Sequence, residues 1–594
     1  MLLPTNSILA AVVLAGHWPL IAALGVDTAS SSSQNPIFDK AEDEFDDTGK
    51  NPLTRDFRRK VVRWLGEWKV PGLAVGVVDG EDIWTQGYGI ATYPSTPVTP
   101  TTLFYGASTS KAFTVATLSI MIASGNYTVP GGSAPGSPLA WTTPISALIP
   151  DDFVLMDDPW ATTHITLEDA LSHRTGLPRH DKANTHFLPS SSSGPDGEER
   201  RVATPRDVTR MLRYLPLNAA PRTTWQYCNQ MFVVASHVVQ TITGRWMGDV
   251  LREWIWTPLG MHSTYFSLED ALAAPEHFAA GYSWVKERGE FVTVPYIPTD
   301  EISGAGAVVS CVEDYTRWIR MMLREAAPVP KEAHRAIKTP RIIVDPKSIF
   351  TLAGYGGNSS SSTGVKAQPY DAPQAYALGW VVGSYRGHTY WQHAGGMHAY
   401  GAEVFFFPSL EFGVVTFANT AGSSNYVGTI AVWQLVDDKL GVPEDERYRG
   451  IDDKLDALIA NAINKTYPDR PSSPIPPALP LHAYEGTYYN PGYQNFTLTA
   501  AGTVSENALV ANRSDATWRI LHDFQHVSGE YWIMFLQYAF VGNRRDASPP
   551  HEYAPVQFSV GADGKVAAMG ITWLDVNVGM EDKVEGLVWF DKIV

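Results

Sequence analysis

Tyr105-Gly106-Ala107-Ser108-Thr109-Ser110-Lys111-Ala112-Phe113-Thr114 is the stretch from which the fold can be read. Ser108 and Lys111 stand three residues apart, and on a helix that spacing puts a hydroxyl and an amine on one face. Residues 112–123 are apolar on nearly every side, apart from Thr114, Thr117 and Ser119. That is the pattern of a helix buried in a large core, and Gly125-Asn126 predicts its C-terminal stop. A serine near the start of such a helix lies where unpaired backbone N–H groups and the dipole favour developing negative charge, which suits a nucleophile. The pattern alone is short, and Ser283-Trp284-Val285-Lys286 repeats it. That copy falls in 282–296, whose Val, Trp, Phe and Tyr residues predict a hairpin turning at Arg288-Gly289. Strand residues three apart point to opposite faces, so Ser283 and Lys286 cannot cooperate.

Working outward, residues 54–68 predict a helix with Phe57, Val61, Trp64, Leu65 and Trp68 on one stripe. Asp79-Gly80, between apolar runs at 73–78 and 83–88, predicts a hairpin. Helices are expected over 166–172, 204–214 (Thr204 as cap, Pro205 in the first turn), 230–242, 250–256 and 312–325. Strands at 377–383, 388–393, 402–407 and 413–418 and a helix at 426–440 follow. The fold class is therefore α+β: an antiparallel sheet flanked by helices, with an all-helical subdomain inserted between its first and last strands. A proline-rich stretch at 467–480 marks a linker. Beyond it, short apolar runs at 496–499, 531–535, 556–560 and 586–590 predict a small all-β barrel or sandwich. Ser/Gly-rich stretches at 190–201 and 356–364 read as surface loops. The division is a signal segment at 1–25, a polar leader at 26–50, the α+β domain at 51–445, a helix and linker at 446–480, and the barrel at 481–594.

A chain of 594 residues implies at least two domains, and 44% hydrophobic with 18% charged residues implies a globular one. A formal net charge of −17 argues against nucleic acid or an anionic membrane as partner. The two cysteines, Cys228 and Cys311, exclude a disulfide scaffold and are expected to be small buried residues. No Cys/His cluster has zinc spacing and no His-Glu-x-x-His occurs, so no metal or cofactor is expected. The apolar run 8–24 is short for a spanning helix and ends at Ala23-Leu24-Gly25, which predicts a cleaved signal segment. Asn-x-Ser/Thr sites at Asn126, Asn358, Asn464, Asn495 and Asn512 agree with a secreted protein without stable membrane insertion.

A nucleophilic serine needs a base, donors for the oxyanion, and a group that handles the leaving-group proton. Lys111 supplies the first if burial lowers its pKa. Tyr227-Cys228-Asn229, just ahead of a long apolar helix, offers a phenol that beside a cation can titrate low enough to shuttle protons. It also offers an amide that can orient the lysine and a substrate. His393-Ala394-Gly395-Gly396 follows a predicted strand, and its glycines let a substrate lie along an exposed strand edge, although such a run alone reads more readily as a turn. No Gly-x-Ser-x-Gly elbow occurs, so the α/β-hydrolase alternative lacks its central element.

With Ser108-x-x-Lys111, Tyr227-x-Asn229 and His393-x-Gly395 in this order, the chain resembles the serine β-lactamase and penicillin-binding-protein superfamily. Within it, the closer likeness is to the class C-like branch of esterases, D-amino-acid peptidases and acyltransferases. The resemblance spans residues 54–440 and includes Val70-Pro71-Gly72-Leu73, Leu171-Ser172-His173-Arg174-Thr175-Gly176-Leu177-Pro178 and Tyr376-Ala377-Leu378-Gly379-Trp380. The region opening Tyr484-Glu485-Gly486-Thr487 resembles the lipocalin-like barrel appended in that branch. The resemblance implies an acyl-enzyme on Ser108, with Lys111 and Tyr227 sharing acid–base work and the choice of base left open. It implies an oxyanion hole from the backbone N–H groups of Ser108 and Gly396. It implies substrate contacts from Asn229, His393 and Gly395, and His398 adds a further polar group beside them. His393 stands where lysine is common, and a mostly uncharged ring grips a carboxylate less firmly, which turns the expectation toward esters and non-carboxylate amides. Ala399, where glycine is frequent, implies a narrower cleft. The expected substrate is a small-molecule ester, an amide or a D-amino-acid peptide-like compound. Hydrolysis and acyl transfer both stay open, as does the oligomeric state. A non-catalytic ligand-binding protein on the same scaffold is the alternative, and three intact motifs argue against it.

Overall fold

Thr54 caps the first helix, Arg55–Trp68, by accepting from the Phe57 N–H, and Lys69 ends it in the left-handed conformation. The computed structural model describes residues 49–131, 135–189, 200–344, 373–447, 459–501, 508–513, 515–539, 550–575 and 580–593. All belong to one compact unit, Asn35–Val594. The expected signal segment, the leader as far as residue 48, most of the 190–201 loop, the 356–364 stretch and Asn358 lie outside the described residues.

The strands Gly72–Asp79 and Asp82–Thr92 form the expected hairpin, and Gly72–Asp79 also pairs with Phe412–Ala418. Strands from both ends of the domain thus share one nine-stranded antiparallel sheet. Along Gly72–Asp79 the side chains alternate: Leu73, Val75 and Val77 pack with the helices Arg55–Trp68 and Ser424–Leu440. Ala74 and Val78 pack with Ser110–Ser124 and Val312–Arg324 on the other side. A period of two with both faces covered explains why these strands read as continuous apolar runs. Ser110–Ser124 is buried as its composition predicts, and Gly125 stops it at φ 66°. In the inserted helical part, Thr166 and Thr204 each close a capping box, with Asp169 and Asp207. The helix expected at 250–256 starts earlier, at Met247, and continues as π-helix through Arg252–Trp256.

Two strand expectations need correction. The run 377–383 is not one strand: Ala375–Tyr376 and Val381–Tyr385 flank a turn closed by the Ala377 N–H donating to the Trp380 carbonyl, with Gly379 at φ 70°. The strand expected to stop at His393 runs His388–Met397. It pairs with Tyr400–Phe407 as far as Met397, but with Val381–Tyr385 only as far as Gln392. Among the described residues, no strand pairs with 393–397 on that second side, so this segment keeps one edge open.

The C-terminal region is a closed barrel of eight antiparallel strands, from Gly486–Asn490 to Met580–Lys592, an architecture that fits a lipocalin-like domain. The proline-rich segment before it packs along the barrel, with the Tyr467 hydroxyl donating to the Trp532 carbonyl. The barrel is seated on the α+β part by backbone contacts. Thr185 bridges Ala516, the His186 and Phe187 N–H groups donate to the Asp515 carbonyl, and the Thr517 N–H donates to the Asn184 carbonyl. Cys228 and Cys311 are buried and form no disulfide. Among the described residues no helix is long and apolar enough to cross a membrane.

Candidate active site

Ser108 sits in a tight helical turn, Ala107–Thr109, that leads into Ser110–Ser124. Ala107 is at φ 47°, a left-handed conformation that an alanine adopts only when its surroundings impose it. Those surroundings are visible. The Gly106 N–H donates to the Val308 carbonyl, the Ser110 hydroxyl donates to the Ala107 carbonyl, and the Val308 N–H donates back to Ser110 Oγ. Half-buried Ser108 is thereby presented at the surface of a rigid core.

Lys111 has no exposed surface. Its Nζ lies 3.0 Å from Ser108 Oγ, 2.7 Å from Asn229 Oδ1 and 2.9 Å from the Ala305 carbonyl oxygen. Burial pushes its pKa well below that of a free lysine, with Arg179 acting in the same direction and Asp181 and Cys228 against it. The three partners suit the three donors of an ammonium, and equally a neutral amine that donates to the two fixed acceptors and accepts from the Ser108 hydroxyl.

Tyr227 stands beside this pair. Lys111 Nζ is 4.9 Å from its ring centroid, and the Arg179 guanidinium carbon is also 4.9 Å away. Its hydroxyl is buried without a hydrogen bond of acceptable geometry, although Ser108 is near enough to favour ionisation. The expectation of a low-titrating phenol is corrected: burial outweighs both Arg179 and Ser108 and raises the pKa, so Tyr227 stays protonated. Around it pack His173, Trp225 and Tyr376, with the His173 ring centroid 4.3 Å away.

His393 is near but not open to solvent. It has no exposed surface, its Nδ1 lies 2.7 Å from the Ala394 carbonyl, and its Nε2 lies 2.9 Å from the Tyr376 hydroxyl. The carbonyl can only accept, so Nδ1 carries the proton and Nε2 accepts from Tyr376. Burial, with Lys111 nearby, lowers its pKa to about 3, so the ring is neutral. A ring so enclosed does not fit the expected direct contact with substrate. Gly395 does reach the site: a Cβ there would lie 2.2 Å from the Gly106 carbonyl oxygen, so the strand can touch the nucleophile turn only through glycine. Gly396 is exposed on the open edge.

A family model described as Beta-lactamase matches residues 39–436. The chain belongs to the β-lactamase family. A second model, described as a domain of unknown function (DUF3471), matches residues 470–586. The chain is 40% identical over 544 residues to an unguisins hydrolase of Aspergillus campestris, covering 90% of this chain and 92% of that protein. It is 28% identical to a D-aminopeptidase of Gluconobacter oxydans over 46% of this chain and 45% of the other. In structure it is similar to an octameric penicillin-binding protein homologue from Pyrococcus abyssi, with a TM-score of 0.53 at 18% identity, covering 88% of this chain and 98% of that one.

In this β-lactamase-family chain the remaining expected residues lie away from Ser108's hydrogen bonds. His398 is buried at the seam with the barrel, its ring centroid 3.9 Å from that of Tyr538 and 5.3 Å from that of Trp518. It lines a cavity there with His186, Tyr296, Thr517 and Arg519. Ala399 does not narrow the cleft as expected. It is fully buried at φ 66°, and a Cβ placed on Gly281 would lie 2.6 Å from its methyl. Sequence reading missed Asp181, Arg179 and Ala305, which reach Asn229, Tyr227 and Lys111 from distant segments. It also passed over Tyr376 and His173 as site residues, although both lie in stretches that carry the family resemblance. Among the described residues no group of three or more potential metal ligands is assembled.

Proposed function

We propose that this chain hydrolyses an amide or ester bond in a small peptide-like substrate through an acyl-enzyme on Ser108. The observation that carries the reading is the buried Lys111 amine 3.0 Å from Ser108 Oγ, held by Asn229 and Ala305. In the proposed sequence Lys111, as the neutral amine, accepts the Ser108 proton while Oγ attacks the substrate carbonyl. Backbone N–H groups of Ser108 and Gly396 receive the oxyanion; losing one such donor typically costs about 2.7–4 kcal/mol of transition-state stabilisation. Tyr227, protonated, hands a proton to the departing amine or alcohol and recovers one relayed from Lys111. Water then attacks the acyl group and restores Ser108.

The neutral, enclosed His393 supplies no cation for a substrate carboxylate, which supports an uncharged amide or ester. The name of one relative, an unguisins hydrolase, supports hydrolysis, and that of another, a D-aminopeptidase, supports a peptide-like substrate with D-configuration. The test is turnover of D-amino-acid amides, their L-enantiomers and p-nitrophenyl esters by the purified chain and by Ser108→Ala. Hydrolysis by the parent, faster for the D-amides and absent in Ser108→Ala, is the expected result. Equal rates in both proteins would return the chain to the ligand-binding alternative.

A further inference from the structure

Asn229 presents an amide to Lys111, and an amide can face either way. Its oxygen faces Lys111 Nζ at 2.7 Å because its nitrogen is taken. Nδ2 donates to both oxygens of the Asp181 carboxylate, at 3.0 and 3.1 Å. A carboxylate only accepts, so it admits one orientation of the amide. Turned the other way, Asn229 would point NH2 at an amine and oxygen at an anion.

Asp181 itself is held from two directions. The Arg179 side chain donates to it at 2.8–2.9 Å within the same segment. Behind it, His180 takes the left-handed φ of 46°, and its ring is fixed by Nε2 donating to the Pro216 carbonyl at 3.0 Å and Nδ1 accepting from Tyr493 of the barrel at 2.7 Å. On the other flank the Lys182 ammonium donates to Glu552 of the barrel at 3.0 Å, and the Lys182 carbonyl accepts from Arg513 of the barrel at 2.9 Å. The segment 180–187 therefore has the barrel along one side and the Lys111 network at its first turn.

We infer, resting on the function proposed above, that Asp181 is a positioning residue that sets Asn229 and hence Lys111, and that the barrel holds Asp181 in place through His180 and Lys182. The barrel is then part of the hydrolytic device, although among the described residues none of the barrel hydrogen-bonds Ser108 or Lys111.

The titratable or charged groups around Lys111 are Asp181, Arg179, Cys228, Tyr227, His173 and His393, and Asp181 is the carboxylate among them. Its charge favours the ammonium form of Lys111, so neutralising it makes the free amine easier to reach. Asp181→Asn is therefore expected to lower kcat for a p-nitrophenyl ester by tenfold or more with KM changed less than threefold. It should also move the acidic limb of the kcat/KM profile to lower pH, a shift that simple loosening of the fold does not produce. Asp181→Glu, which keeps the charge, should keep the parent's acidic limb. Tyr493→Phe, in the barrel, should slow the ester reaction at least threefold, and it replaces Asp181→Asn as the test if that variant does not fold. Parent-like kcat and acidic limb in folded Asp181→Asn would overturn the role of Asp181. Parent-like rates in Tyr493→Phe would overturn the barrel's part in it. Failure of the underlying reading looks different: the parent itself would then turn over no ester.

Discussion

At the residue scale the decisive facts are protonation states. Burial pushes the Lys111 pKa well below that of a free lysine and raises that of Tyr227, which supports the proposed assignment of Lys111 as the base. The folded pKa of Lys111 lies below its unfolded value, so catalysis needs the pH to exceed the lowered pKa only. On the proposed mechanism, activity should rise from acid through a limb lying well below the pKa of a free lysine, checked by kcat/KM against pH with an ester. Tyr227→Phe removes a buried hydroxyl that makes no well-formed hydrogen bond, and its neighbour Ser108 keeps its bond to Lys111, so no new unsatisfied group is left behind. The expected result is a fall in kcat of about 10²–10³-fold with an unfolding midpoint equal to the parent's or slightly higher, measured by steady-state kinetics and calorimetry. Ser108 and Lys111 were legible because their relation is local, three residues apart across the turn that opens a helix. Asp181 and Ala305 were not, since nothing within either segment shows that it meets Lys111 after folding. The enclosure of His393 was likewise hidden: a strand's alternation fixes the side to which a ring points, not what covers it.

At the element scale, the strand His388–Met397 does two things at once. It joins Val381–Tyr385 to Tyr400–Phe407 as far as Gln392 and leaves 393–397 with one side facing the Ser108 turn. Gly395→Ala would drive a methyl into the Gly106 carbonyl at 2.2 Å, backbone against backbone, where no flexible side chain can yield. Overpacking of this kind costs about 1–3 kcal/mol, and both a lowered urea midpoint and loss of esterase activity are expected. The short helix Leu167–Leu171 offers a stability test. Asp169 caps its own helix and takes charge-assisted bonds from Arg174 and Arg222, with a side chain that has no exposed surface. Burial opposes its charge, but Arg222, Thr166 and Arg174 prevail and hold its pKa below the usual carboxylate range. The folded pKa is depressed, so this stabilisation is full above about pH 4 and is lost as pH falls through the folded value. Asp169→Asn should therefore flatten the acid limb of the stability–pH curve measured by urea titration. The helices were legible from caps and periodicity. The strand at 377–383 was misread because Ala377-Leu378-Gly379-Trp380 is apolar in a turn as it would be in a strand, and only the left-handed Gly379 breaks the run.

At the scale of the whole molecule, the terminal strands of the α+β part meet in one sheet, and the helical insertion brings Tyr227 and Asn229 over the Ser108 helix. Two domains and a linker are an expectation from sequence, and no residue pattern hints at how the barrel docks on the α+β part. Seam residues such as Lys182, Glu552 and Arg513 carry ordinary polar signatures and only their partners mark them. Lys182 and Glu552 are 18% and 13% exposed in their side chains, so removing one partner leaves a largely buried charge. Glu552→Gln is expected to cost up to about 3 kcal/mol, and the double variant with Lys182→Met should recover part of that loss in a double-mutant cycle.

Ser108 is proposed as a nucleophile made reactive by its buried lysine. The most direct measurement is the intact mass of the folded chain after incubation with a fluorophosphonate near neutral pH. One adduct per chain is expected, mapped to Ser108 and missing from both Ser108→Ala and Lys111→Met. An unlabelled parent, or an adduct that survives in Ser108→Ala, would contradict it.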